Sequence, residues 1–336
     1  MTLKDAQPVV AAAPSRAAAP PPATATAAVA VPQAPRATRR RVSSELDRSI
    51  LSPFDRKKKT LRVVTLLIGA LVMLGLVVVS AGPLLWLAKA AKSSTQDTLT
   101  QPFALWPSGF TWQNITDALV QVQFGKYLAN TAWVALGSWF FSILVATTGG
   151  FGLSVLRPAY AKVVYAGVLA TLFIPGIVSL VPLYLTVLDV PLFGWNLLNS
   201  FWAVWLPAGA SAVNLLLVKQ FFDGIPRDIF EAAKIDGAGS FRLFWSITLP
   251  LSKPILGVVS LLSLVAAYKE FLWPLLVLPD PNLQPLSVAL PRLESTTELS
   301  VYLAALFISV VIPVALFLLF QKQFLRSAGS AGAIKG

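Results

Sequence analysis

Acid–base, nucleophilic and metal chemistry in proteins leans heavily on histidine and cysteine, and this chain of 336 residues contains neither. The usual general base and the commonest metal ligand are therefore missing. So are a disulfide framework and any thiolate redox site, and no metal site is expected. What remains is 15 carboxylates against 27 lysines and arginines. Charge stands out from an apolar background in two places. One is Lys269-Glu270, inside the apolar run 255–278. The other is the polar interlude 221–254, with Arg227, Asp228, Glu231, Lys234 and Asp236, then Arg242 and Lys253.

A charge at the centre of a membrane helix costs about 2.5–3.5 kcal/mol on insertion scales, so Lys269 and Glu270 are expected to face a bundle interior or a wet cavity. Neighbours on a helix diverge by ~100°, so they are not each other's partners. Two readings are open for them: a lining of a translocation path, which also takes in Trp273, or an ion pair with an adjacent helix or chain.

The frame that must position these residues is a membrane one. The chain is 56% hydrophobic and 12% charged with mean hydropathy +0.70, whereas soluble domains carry roughly 25% charged residues. Val63 to Ala88 contains no charge and exceeds the ~20 residues needed to cross the hydrocarbon as a helix. Further spans are expected at about 130–154, 163–185, 198–220, 255–278 and 301–321, with kinks at Pro175 and Pro182 in the third. The expected fold class is an all-α membrane protein of six transmembrane helices.

Cations set its orientation. Twelve lysines and arginines precede the first span, and Arg157, Lys162, Lys219, the cations of 221–254, Lys322, Arg326 and Lys335 fall on the same side. Only Lys89, Lys92, Lys126 and Arg292 fall on the other. Both termini and the 221–254 loop are therefore expected in the cytoplasm. The net charge of +12 follows from topology and not from a nucleic-acid partner. The external segment 90–127 carries Trp106 and Trp112 as interfacial aromatics, and 279–300 is mildly acidic. Residues 1–45 are Ala/Pro-rich and expected to be disordered, as a regulatory tail or a solvated extension. They lack the compact apolar run of a cleavable signal peptide. A basic juxtamembrane segment follows at 46–62, then the membrane domain at 63–325 and a cytoplasmic tail at 326–336.

Within 221–254, Pro226 suits a first helical turn. Asp228 and Glu231 sit near the positive end of the helix. Ala232-Ala233 gives a smooth surface of high helix propensity, and Gly237 suits a left-handed C-terminal cap. A second short helix follows, with Phe241, Phe244 and Trp245 spaced to share one face. Pro250 and Pro254 bracket the approach to the fifth span. The physics allows a docking element or an amphipathic pair on the inner membrane surface.

Glu231-Ala232-Ala233, Asp236-Gly237-Ala238, Phe244, Ile247 and Leu249-Pro250, preceded by Ile225-Pro226, resemble the EAA loop by which permease subunits of ABC importers engage their ATPase. The Ile235-Asp236-Gly237-Ala238 version is similar to permeases of the sugar-importing, maltose-type branch. Phe124-Gly125-Lys126-Tyr127-Leu128-Ala129-Asn130-Thr131 and Glu270-Phe271-Leu272-Trp273-Pro274-Leu275-Leu276 resemble stretches of the second, shorter permease subunit, and the likeness covers about 60–325. Tyr268-Lys269 departs from the Trp-Asn that commonly precedes the acid.

The resemblance implies a transport subunit, not an enzyme, that forms half of a pathway for a small carbohydrate. It implies a sister permease, an ATPase dimer, an extracytoplasmic solute-binding protein and a place in the bacterial cytoplasmic membrane. Coupling to the ATPase falls to Glu231, Ala232, Ala233, Asp236, Gly237, Ala238, Phe241, Phe244, Leu249 and Pro250. No Gly-x-x-x-x-Gly-Lys-Ser/Thr occurs in the chain, so ATP and Mg belong to the partner and no cofactor is expected here. The competing readings are an ion-coupled secondary transporter using Lys269 and Glu270 as a relay, and a scaffold that only recruits a cytoplasmic partner.

Overall fold

The computed structural model describes residues 59–333, so the Ala/Pro-rich segment 1–45 and most of the basic segment lie outside the described residues. The chain divides into two units between Thr65 and Leu66. The first contributes only residues 59–65, the opening of a long helix, and every further element belongs to the second.

The described residues are mostly helical and form no strand beyond an isolated bridge between Val190 and Trp195. Helix α1 (Lys59–Ala90) leads to the short α2 (Thr95–Thr100) and α3 (Gln113–Val120). Next come α4 (Phe124–Phe151), α5 (Ala161–Thr171), α6 (Leu180–Leu188), α7 (Trp202–Ala208) and α8 (Ala212–Asp223). After α9 (Arg227–Ile235), α10 (Ser240–Arg242) and α11 (Leu249–Leu251) come α12 (Lys253–Lys269), α13 (Leu272–Val277), α14 (Leu286–Leu293) and α15 (Leu299–Ala333). The last helix runs past residue 325 into the expected tail.

Among the described residues three helices, α1, α4 and α15, are long and apolar enough to cross a membrane, and the total rises to six if each of three bent pairs is one span. The bends measure 106° in the α5–α6 segment, 41° between α7 and α8, and 79° between the α10–α11 segment and α12.

The prolines explain where helices stop. A proline donates no N–H and its ring collides with the carbonyl four residues earlier. Pro175 thus ends α5 at Thr171, and the chain resumes through a 3-10 turn at Gly176–Ser179. Pro274 acts the same way on Glu270, whose backbone is extended (φ −65°, ψ 122°). The freed Glu270 carbonyl accepts a hydrogen bond from Ser287 Oγ at 2.7 Å. The continuous helix expected across 255–278 is therefore broken at Glu270.

Helix α4 is the spine, touching α7, α8, α12 and α14. Its glycines permit the approach: a Cβ on Gly137 would lie 2.1 Å from Trp205 Nε1, and one on Gly150 3.1 Å from Val218. One buried cluster joins Phe124 to Leu286, Leu290 and Ala304 at the end holding segment 90–127. A second gathers Phe151, Phe222, Phe230 and Leu243 beneath the 221–254 loop. Helix α1 contrasts with both, because residues 66–80 are exposed on every side.

Candidate functional site

In the 221–254 loop, Pro226 stands just before α9, as its N-cap (φ −54°, ψ 132°), and not in its first turn. Asp228 occupies that first turn, where the helix dipole favours an acid. At the other end Gly237 adopts φ +79°. The Ala238 N–H donates to the Ala233 carbonyl at 2.9 Å and the Gly237 N–H to the Lys234 carbonyl at 3.0 Å. These two bonds form the Schellman termination that a left-handed glycine makes possible. Nothing lies within 4 Å of where a Gly237 Cβ would be, so backbone conformation alone selects glycine there.

Beyond Ser240 the chain forms a π-helical turn, Leu243–Thr248, whose wider i→i+5 winding changes which residues coincide. Phe241 and Trp245 stack nearly parallel, with centroids 6.4 Å apart, and are 78% and 63% exposed. Phe244 instead turns inward and meets Phe151 edge-on at 5.2 Å. The three aromatics therefore do not share one face.

Phe230 and Leu243 are buried, and Ala233, Ala238 and Ile247 pack beside them, fastening the loop to the bundle. Glu231, Ala232, Asp236, Gly237 and Pro250 lie on its exposed surface, while Leu249 is half-buried. Ile235, absent from the sequence-based set, is 87% exposed beside them. The result is a two-helix knuckle whose outer surface mixes apolar side chains with acids and with the exposed cations Arg227, Lys234 and Arg242.

An ionic anchor holds its root. Asp223, at the end of α8, accepts hydrogen bonds from Ser154 Oγ at 2.6 Å, Lys219 Nζ at 2.5 Å and Arg157 Nη2 at 3.1 Å. Arg157 is itself left-handed (φ 48°). Ser154, Arg157 and Asp223 share a small cleft with Arg227, Glu231 and Lys234, so the anchor adjoins α9.

Deeper in the bundle lies an open cavity of about 560 Å³. Its walls include Ser138 and Ser142 of α4, Asn214 of α8, Ser263 of α12, and Glu270 and Trp273 at the broken helix. Asn214 Nδ2 donates to Ser142 Oγ at 2.8 Å and to Ser263 Oγ at 3.0 Å. Glu270 accepts the Trp273 N–H at 3.3 Å, and the buried Trp273 indole donates to the Ala203 carbonyl at 2.9 Å. Lys269 ends α12, is exposed and is not a wall residue. The structure thus brings Glu270 and Trp273 together and leaves Lys269 out. Sequence reasoning missed Ser142, Asn214 and Ser263. Their signal was polar side chains set among apolar neighbours in three helices.

The family model for "binding-protein-dependent transport system inner membrane component" matches residues 143–328. The chain is similar to the sn-glycerol-3-phosphate transport system permease protein UgpE of Yersinia pestis, at 29% identity over 247 residues, covering 70% of this chain and 86% of that one. It is also similar to the probable ABC transporter permease protein YurM of Bacillus subtilis, at 30% identity over 260 residues, covering 76% and 84% respectively. Its fold matches a chain in the crystal structure of a bacterial ABC transporter involved in the import of the acidic polysaccharide alginate. There the TM-score is 0.70 and the identity 20%, over 82% of this chain and 99% of that one. With more than half of its length matched by the family model, the chain belongs to the family of binding-protein-dependent transport system inner membrane components.

Proposed function

We propose that this chain is the permease subunit of an ATP-driven ABC importer for a sugar-like solute. The observation that carries the coupling mechanism is the rigid 225–254 knuckle, capped at Gly237 and exposed at Ile235, Phe241 and Trp245. A partner ATPase dimer binds ATP and Mg and closes around this knuckle. Glu231 and the Asp236-Gly237 turn meet the ATPase, and Asp223 with its cationic partners passes the motion into α4 and α8.

The chain crosses the bacterial cytoplasmic membrane six times, with each bent pair as one span and both termini inside. A homologous sister permease supplies the other half of the pathway. A solute-binding protein delivers the solute outside, and the site is exposed to each side in turn as ATP binding shifts the population of the two states. This subunit makes and breaks no covalent bond.

The test is solute uptake into vesicles holding the co-purified complex, with ATP inside and no ion gradient, for wild type and Gly237→Trp. ATP-dependent uptake that Gly237→Trp abolishes, with the complex still assembled, is the expected result. Uptake that ignores ATP and follows a proton or sodium gradient would instead overturn the ABC reading in favour of an ion-coupled transporter and move attention to Lys269 and Glu270.

A further inference from the structure

The hydrogen bonds around the cavity determine what it can recognise. Ser263 Oγ gives its only proton to the Val259 carbonyl at 2.8 Å, so the 3.1 Å contact with Ser142 is a bond donated by Ser142. The Asn214 amide nitrogen donates to both of these hydroxyls. Flipping the amide would set its oxygen against Ser263 Oγ, which has no proton left to give, so the orientation is fixed. Ser179, another wall residue, donates to the Gly176 carbonyl at 2.7 Å. Asn214 is only 8% exposed yet borders the cavity, with its carbonyl oxygen as the spare valence. Among the described residues the single charged group on the wall is the Glu270 carboxylate, and no lysine or arginine lines it. The wall thus sets this one charge beside the Asn214 carbonyl oxygen and the hydroxyls of Ser138 and Ser211.

We propose that this cavity is a solute site for hydroxyl-rich molecules that are uncharged or cationic. Glu270 discriminates against phosphorylated or carboxylated analogues. Hydroxyl and ammonium groups satisfy Asn214 Oδ1 and Glu270, whereas an anion meets the Glu270 charge with no lysine or arginine beside it to offset the repulsion. The specificity would then differ from that implied by the names of the glycerol-phosphate and alginate systems this chain is similar to. The proposal rests on the permease reading.

The chain has no native cysteine, which permits a test independent of the solute. Ala267→Cys and Ser179→Cys, both on the cavity wall, are made singly in the complete complex in vesicles. They are reacted with a cationic trimethylammonium and an anionic sulfonate thiosulfonate reagent of similar size. Rates are read by mass spectrometry of this chain and normalised to each reagent's rate with a free thiol.

A charge-lined cleft concentrates counter-ions ~10-fold or more, so the cationic reagent should be faster by about that factor. The ratio should fall toward one with Glu270→Gln and persist with Glu270→Asp, which also shows that the complex tolerates change there. Equal rates, an anionic preference, a ratio that Glu270→Gln leaves unmoved, or no reaction at either position would overturn the proposal. None of these outcomes bears on ATP-driven uptake and its loss in Gly237→Trp, so the permease reading stands or falls separately.

Discussion

Gly237 shows how one residue can hold a docking surface in shape. An L-residue in the left-handed region costs roughly 1–2 kcal/mol, and a Cβ here meets no neighbour. Gly237→Ala should therefore loosen the α9 terminus by about that amount, with Gly237→Asn closer to wild type. Faster hydrogen exchange at the Ala238 amide would report it. In the outer segment, a hydrogen bond from the Ser108 hydroxyl holds the Asp97 carboxyl below its ordinary 3.8, against the opposing effect of burial. With the folded value below the unfolded one, this contribution is complete above the unfolded value and fades as pH falls through the folded one. Acid should accordingly loosen segment 90–112, seen as a change in Trp106 and Trp112 fluorescence that Asp97→Asn no longer shows. Residues of the first kind are legible in sequence because turn chemistry is local: Asp236-Gly237 signals its cap unaided. Asn214 is not, since its partners lie 72 and 49 residues away.

Elements were legible as far as their apolar runs, and illegible where their winding changes. A 3.6-residue period places Phe244 beside Phe241, but the π turn sends it into the core against Phe151. Lys269-Glu270 reads as mid-helix until Pro274 is weighed against the Glu270 carbonyl, four residues back. Packing between elements makes its own prediction. Gly137→Ala would drive a methyl into Trp205, whose indole donates to the Trp133 carbonyl at 3.1 Å and stacks on Phe201. Overpacking of this kind costs about 1–3 kcal/mol, so the purified protein should melt at a lower temperature. Adding Trp205→Leu should recover part of the loss.

For the whole molecule, the proposed six-span arrangement would put the 221–254 knuckle and the 279–300 segment on opposite sides of the membrane. Single cysteines at the exposed Ser240 and Ser295 test this directly. An impermeant maleimide should label position 295 in intact cells and position 240 only after the membrane is opened. Labelling of both from outside would rule out six spans with internal termini. The cavity could not be inferred at this scale from sequence, because its walls come from helices joined only by tertiary contact.

Residues 66–80 of α1 carry apolar side chains in all directions and no stripe reserved for the bundle. A segment of that kind needs no companion helix to be comfortable in lipid. It can leave the translocon and settle in the bilayer while the rest of the chain is still on the ribosome. The polar-spotted helices that follow, with Ser142, Asn214 and Ser263 awaiting one another, then assemble behind a tether already in place, and the order of synthesis becomes the order of folding.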